Sequence, residues 1–469
     1  MLFNSFEFFL FLPIAFIFYW FVFKSRKAQN AFVVLCSFTA YGYWDYKLAL
    51  LLALVSLLNY VGGQVVGKNK LVFVSLITIN LSILGVFKYF DFFVENISAL
   101  FHTIGYEMGW ATLHLVIPVG LSFYVFQALS YIIDVYKKEI EPSRDVISFL
   151  AYMSFFPQLT AGPIERAGNL LRQFQRDRCF NYDTAVDGCR QMLWGFLKKL
   201  VVADNCALAV NEIWGGYNEL SGMNLLVGAV LFTFEIYFDF SGYSDIAIGC
   251  SRLFGISLVK NFDYPYFACS VPDFWRRWHI SLMTWFKDYI YIPLGGNRCD
   301  NWKVVRNVLV VWTLSGLWHG ANWTFVIWGL YHGVILALYI ISGVNTKSQL
   351  IISGSKRQII YNAAQIVSTF LLVTIGWILF RSDNIHQATD YMYLMFTRLF
   401  DGMGIKHGKT ALVYGLILLC IEWIQRSKEH GLQIGEISKA SLRYCIYASV
   451  VFAIYMLAAS PQSYIYYNF

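Results

Sequence analysis

Charge is what this chain has least of. Only 14% of its 469 residues are Asp, Glu, Lys or Arg, against roughly 25% in a soluble domain, and the forty positions from Asn307 to Thr346 hold none. No polar stretch is long enough to make a separate water-soluble domain. The nine cysteines are scattered singly, an odd number with no Cys-x-x-Cys, which excludes a disulfide framework and the usual zinc spacing. Neither H-E-x-x-H nor a paired Glu-x-x-His occurs, so a metal would need ligands from distant segments and none is expected. The N-terminus lacks a basic region and a small-residue cleavage site, and Met1 to Phe23 reads as a retained first span, not a signal peptide. There is no internal repeat and no low-complexity tract.

What is present is hydrocarbon. The chain is 58% hydrophobic and 19% aromatic, with a mean hydropathy of +0.52. A membrane span needs about 20 apolar residues in succession. Apolar runs fall near 6–23, 30–44, 48–66, 71–90, 115–135, 188–206, 223–250, 304–320, 323–341, 359–380, 411–425 and 443–459. The expected fold is therefore an all-α integral membrane protein, one embedded domain over 1–469, with about 11–12 transmembrane helices plus re-entrant or interfacial ones.

The formal charge of +7 lies in short loops between these runs, which fits positive-inside topology and no nucleic-acid partner. Lys24, Arg26 and Lys27, then Lys68 and Lys70, then Lys137, Lys138 and Arg144 mark loops on the cytosolic side. The stretches Asp91 to Leu113 and Cys206 to Gly222 contain no Lys or Arg and fall outside. The N-terminus is thus expected to be extracytoplasmic, and an even number of spans puts the C-terminus there too.

Two segments differ from ordinary spans. Phe149 to Phe174 is broken by Pro157, Gly162 and Pro163 before Glu165 and Arg166. Val271 to Arg298 mixes Trp275, Trp278, Trp285 and Tyr289 with Arg276, Arg277, Lys287 and Asp288 and ends at Pro293-Leu-Gly-Gly-Asn297. Non-helical backbone at membrane depth survives only where protein or a water-filled cavity satisfies it, so both suit re-entrant or interfacial helices.

Histidines stand out against this background. An ionisable side chain within the membrane is a functional-site candidate by default. His319, in Leu317-Trp318-His319-Gly-Ala-Asn322, suits a general base, since partial desolvation keeps an imidazole neutral and able to take a proton from a hydroxyl. The competing reading is a core histidine bonded across helices. Asn322 shares its face if the stretch is helical. His279 lies beside Arg276 and Arg277, where a wet amphipathic face is the alternative, and His332 reads as packing or helix glue. Glu235 and Asp239, at helical spacing, with Asp245, suit either a proton path or a structural role, pairing with arginines or capping a helix broken at Ser241-Gly242. The basic set Arg276, Arg277, Lys287, Arg298, Lys198 and Lys199 suits either the phosphates of a cytosolic donor or topology alone.

Five motifs in order carry a resemblance: Phe156-Pro-Gln-Leu-Thr-Ala-Gly-Pro-Ile-Glu-Arg166, Tyr237-Phe-Asp-Phe-Ser-Gly-Tyr-Ser-Asp245, Phe274-Trp-Arg-Arg-Trp-His-Ile-Ser-Leu282, Leu294-Gly-Gly-Asn-Arg298 and Leu317-Trp-His-Gly-Ala-Asn322. Together, and with the closing Tyr464-Ile-Tyr-Tyr-Asn-Phe469, they resemble the membrane-bound O-acyltransferase family. The nearest part is its bacterial branch of alginate acetylation, teichoic-acid D-alanylation and peptidoglycan acetylation.

The resemblance implies helices around a central tunnel in the bacterial inner membrane, open to a cytosolic donor and an external acceptor, with membrane lipid around it. It puts His319 on the family's catalytic histidine and His279 on the second histidine of the branch. Trp318, Asn322, Arg276 and Arg277 become candidate substrate contacts. No bound cofactor is implied; acetyl-CoA is the expected donor substrate. An exported polysaccharide or peptidoglycan is the expected acceptor, reached through a separate extracytoplasmic partner of the Ser-His-Asp hydrolase type. The alternatives are D-alanyl transfer from a carrier protein and, in another class, a proton-coupled transporter or channel.

Overall fold

A computed structural model describes residues 3–467 apart from 44, 68, 108, 160–161, 345–355 and 403. Lys68, Thr160 and Ala161 of the first motif, and Asn468 and Phe469 of the closing one, lie outside the described residues. Among those described, every regular element is a helix. The chain divides into two compact units, Met1–Gly188 with Ala247–Val259, and Cys189–Ile246 with Lys260–Phe469.

The first unit shows why these sequences suit a bilayer. Along the Tyr46–Val66 helix, Leu50, Leu54, Leu57, Val61 and Val65 form an exposed apolar stripe at i+4 and i+3 spacing. The buried face carries Ser56, Asn59, Gly62 and Gly63 between Leu52, Val55 and Val66. An apolar exposed face departs from the pattern of a soluble helix, and small and polar groups join the apolar ones that pack inward. Asn59 and Asn80, the latter on Lys70–Thr103, exchange side-chain amide hydrogen bonds at 3.0 Å in both directions.

Among the described residues, six helices are long and apolar enough to cross a membrane: Tyr46–Val66, Lys70–Thr103, Gly222–Leu253, Trp323–Ser342, Lys356–Arg381 and Ala440–Leu457. The other apolar runs fall on shorter or more polar helices, among them Phe6–Val22 and Leu121–Tyr136. The two broken segments resolve as expected into short pieces. Val146–Ser154, Phe156–Leu159 and Leu170–Phe174 make the first. Val271–Arg277, Ile280–Phe286 and the π-helical Lys287–Tyr291 make the second.

In the second unit the break expected at Ser241-Gly242 does not occur. Gly222–Leu253 runs unbroken through it, and Gly242 serves a close approach: a Cβ there would lie 2.8 Å from the Gly195 carbonyl oxygen. Asn301–His319 and Trp323–Ser342 form a tight hairpin joined through Gly320–Asn322. Gly316 and Gly329 face each other across it, where any side chain would run into the Phe325 and Trp312 carbonyls respectively. The glycines let the two backbones touch and fix where the first helix ends, at His319.

Candidate active site

His319 is the last residue of its helix, and Gly320 continues in extended backbone. Its ring is buried within an aromatic cage, with centroids at 4.8 Å to Trp318, 5.1 Å to Trp328, 5.2 Å to Phe380 and 5.9 Å to Tyr466. Because the helix stops here, Asn322 does not share a helical face with His319. It caps the next helix instead: Oδ1 accepts the Thr324 N–H at 3.0 Å, and Nδ2 donates to the Asp383 carbonyl at 2.8 Å.

His279 reaches the same cage from the junction of Val271–Arg277 and Ile280–Phe286. It adopts a left-handed backbone, φ 44°, unusual for a residue other than glycine. Its ring centroid lies 6.2 Å from that of Trp318 and 6.1 Å from that of Tyr466, so one indole and one phenol border both imidazoles. Asn261 holds it. The Asn261 Oδ1 lies 3.0 Å from His279 Nδ1 and accepts the Ser281 hydroxyl at 2.9 Å. A carboxamide oxygen only accepts, so the neutral ring carries its proton on Nδ1 and keeps the lone pair on Nε2. Burial drives the His279 pKa down to about 3, because water no longer stabilises the cation.

Tyr466 arrives from the short Ile465–Tyr467 turn, and a buried ion network fixes the strap that carries it. Lys199 pairs with Asp204 at 2.8 Å and Asp239 at 2.6 Å, and donates to the Gln462 carbonyl at 3.2 Å. The other Asp239 oxygen accepts the Ile465 N–H at 2.7 Å. Next to it, Lys198 pairs with Asp245 at 3.1 Å and Glu422 at 2.9 Å. Asp239 and Asp245 thus have the structural role, paired with lysines where arginines were expected, and Lys198 and Lys199 are committed to these carboxylates.

Arg276 and Arg277 bracket one carboxylate, Asp273, at 3.2 Å and 3.1 Å, with Arg276 the more exposed; Lys287 and Arg298 are exposed. His332 packs against Trp275, whose indole N–H points at its Nδ1 from 3.4 Å. That is the packing role its surroundings suggested. Among the described residues, no group of three or more His, Cys, Asp or Glu side chains is arranged to hold a metal ion.

A sequence model of MBOAT, the membrane-bound O-acyltransferase family, matches residues 139–379, more than half of the chain. The chain belongs to the membrane-bound O-acyltransferase family. As a member it is an O-acyltransferase and, with its apolar helices, a multi-pass membrane protein. It is 39% identical to the probable alginate O-acetylase AlgI of Pseudomonas putida, over 83% of this chain and 79% of that one. It is 30% identical to the peptidoglycan O-acetyltransferase of Helicobacter pylori, over 98% and 96%. It is 27% identical to the teichoic acid D-alanyltransferase of Bacillus subtilis, over 58% and 71%.

The acyltransferase match includes His279, Trp318, His319 and Asn322 but stops short of Phe380 and Tyr466. Asn261, Trp328, Phe380 and Tyr466 are residues around the two histidines that sequence reasoning did not single out. For Tyr466 a signal existed in the aromatic closing motif, though nothing in it pointed to the histidines.

Proposed function

We propose that this acyltransferase takes an acetyl group from a cytosolic thioester, acetyl-CoA, and delivers it outward through the bacterial cytoplasmic membrane for O-acetylation of an exported polysaccharide or peptidoglycan. The N-terminus lies outside the cell in this reading. The observation that carries it is the cage: two buried imidazoles share Trp318 and Tyr466 as neighbours. The longer match to the acetylating relatives, 83% and 98% of this chain against 58% for the D-alanylating one, supports acetyl as the group moved.

The chemistry assigns His319 as general base. Its imidazole takes the proton of the acceptor hydroxyl as that oxygen attacks the thioester carbonyl. The carbon–sulfur bond then breaks, and the thiolate leaves with the proton returned by the imidazolium. The tetrahedral oxyanion needs donors fixed in place before reaction, a role suited to the Trp318 indole N–H. Tight packing of aromatic rings around His319 keeps water from competing for the acyl group. Arg276 and Arg277 meet the donor phosphates. A separate extracytoplasmic enzyme of the Ser-His-Asp hydrolase type completes transfer to the polymer.

The test uses purified protein in detergent with acetyl-CoA labelled in the acetyl group. The protein consumes the thioester, and His319→Ala lowers the rate by about 10²–10⁴-fold. An unchanged thioester would leave a transporter as the better reading, and activity only with a D-alanyl carrier protein would replace acetyl by D-alanine.

A further inference from the structure

The first unit contains a helix longer than a bilayer needs. Lys70–Thr103 runs for 34 residues, about 51 Å at 1.5 Å per residue, against a hydrocarbon core of about 30 Å. Its sequence shows where the hydrocarbon ends. Leu71 to Phe87 holds no Asp, Glu, Lys or Arg and covers about 26 Å, after which Lys88, Asp91, Glu95 and Asn96 follow closely. Lys68 and Lys70 put the helix start at the cytosolic surface, and Tyr89 to Tyr136 contains no Lys or Arg, so the far end is extracytoplasmic. Leu100 stands about 20 Å beyond Phe87 along the axis, and a tilt of about 40°, the upper end of the usual range, still leaves about 15 Å. The headgroup layer takes up only about 5–8 Å on each side. The last turns of this helix therefore project into water.

That projection is apolar and held in shape. The spacing of Phe93, Leu100 and Ile104 puts them on one face, and each is more than half exposed, as are Tyr106 and Trp110 beyond the helix end. Single exposed apolar side chains are ordinary. A set of them where lipid does not reach marks a contact surface. The chain past the helix is tied back to it, because the Tyr106 N–H donates to the Phe101 carbonyl at 3.1 Å and their rings lie 6.0 Å apart. Asp91 clamps the returning limb, its two oxygens accepting the Leu113 and His114 N–H groups at 2.7 Å and 3.0 Å. A surface fixed in this way loses less freedom when a partner binds. Its exposed carboxylates are Glu95 and Glu107, and no cation pairs with either among the described residues.

We propose that this projection is the docking site of the separate extracytoplasmic enzyme that completes transfer, which meets it with an apolar cleft rimmed by Lys or Arg. Lipid does not extend to Leu100 and Ile104. A second copy of the chain is a poorer occupant, since a two-fold contact sets the same patch against itself and would bring Glu95 and Glu107 against like charges. The identity of the partner rests on the acyl-transfer reading above, while the surface itself follows from helix length, exposure and charge.

The test places the photoreactive residue p-benzoylphenylalanine at Leu100 or Trp110 of the full-length protein in living cells, and at Leu71, the cytosolic end of the same helix, for comparison. Mass spectrometry of the purified adducts is expected to find an exported protein of the Ser-His-Asp hydrolase type joined to the first two positions and only lipid at Leu71. Lipid, a second copy, any other protein or no adduct at Leu100 and Trp110 would overturn the proposal, as would the same hydrolase adduct from Leu71. Leu100→Glu and Ile104→Glu give a second readout. Each is expected to leave the melting temperature and thioester consumption in detergent unchanged, while polymer O-acetylation in cells falls about tenfold, the scale of one lost interface anchor. O-acetylation at the parent level in both variants would overturn the docking site, and so would an equal fall in thioester consumption. The adducts are read whether or not acetyl-CoA is consumed. An unaltered protein that consumes none defeats the acyl-transfer reading, whereas missing adducts defeat the docking site alone.

Discussion

Tyr466 holds its ring 5.9 Å from that of His319, and it does so because Asp239 accepts the N–H of the preceding residue, Ile465. A buried ion network is thereby coupled to the geometry of the catalytic cage. Removing one partner from a buried pair costs about 3–5 kcal/mol, since the other charge is left uncompensated. In Asp239→Asn the amide can still accept from Ile465, but the charge opposite Lys199 is gone. In Lys199→Met, Asp204 and Asp239 face each other unneutralised. Both variants are expected to lower thioester turnover and loosen the strap, Lys199→Met more strongly. A cysteine placed at Ser463 reports the loosening through its rate of alkylation. Unchanged alkylation in both variants would show that the network does not hold the strap.

The Gly316–Gly329 contact sets the end of the helix that presents His319. Gly329→Val drives a side chain into the Trp312 carbonyl and against Gly316. Overpacking of this kind costs about 1–3 kcal/mol, so a lower melting temperature in detergent is expected together with reduced turnover. Gly85→Ala is the control: it lies within the Lys70–Thr103 helix with nothing within 4 Å of an added Cβ, and helix propensity predicts a small gain. Equal melting of Gly329→Val and the parent would sink the argument.

His279 links the site to pH. Its pKa falls from 6.5 in the unfolded chain to about 3 in the fold through burial, so the folded state favours the neutral ring. That contribution to stability is fully present above pH 6.5 and is lost as pH falls from there toward 3. At pH 5 the loss amounts to roughly 2 kcal/mol. His279→Asn removes the titration while keeping a residue that tolerates left-handed backbone. Thermal melts between pH 7.5 and 5 should slope less steeply in this variant, and its acyl transfer should be reduced. A slope identical to the parent's would mean that His279 is not the group being titrated.

Much of the fold was legible because charge and hydropathy are read in blocks. The two broken segments were recognised from Pro157, Gly162, Pro163 and the Val271–Arg298 mixture of aromatic and basic residues, since neither sequence can keep one apolar helix going. His279 and His319 drew notice because imidazoles are costly in hydrocarbon. What the sequence hid was the set of contacts between distant residues. Periodicity suggested that Asn322 follows His319 around a helix, whereas the chain turns extended at Gly320 and Asn322 caps the next helix. Gly242 looked like a break and is a packing contact. Lys198 and Lys199 looked available for donor phosphates, yet their carboxylate partners include Asp239, Asp245 and Glu422, all from elsewhere in the chain.

The Asn59–Asn80 pair gives a test of how the first unit is held together. Each amide donates to the other's oxygen at 3.0 Å, and each also donates to a carbonyl of its own helix, Val55 and Leu76. Changing one of them to Leu leaves its partner's amide buried with half its bonds lost, which costs about 1–3 kcal/mol, whereas replacing both removes the need for the bond. Asn59→Leu and Asn80→Leu should therefore each lower the melting temperature in detergent, and the double variant should recover part of that loss. Across membrane helices such couplings average about 0.6 kcal/mol and reach about 1.7, so the recovery is small but measurable in a double-mutant cycle. Strictly additive losses would mean that the two amides do not act as a pair, and that close packing such as that of Gly62 against Leu76 carries the contact between these helices.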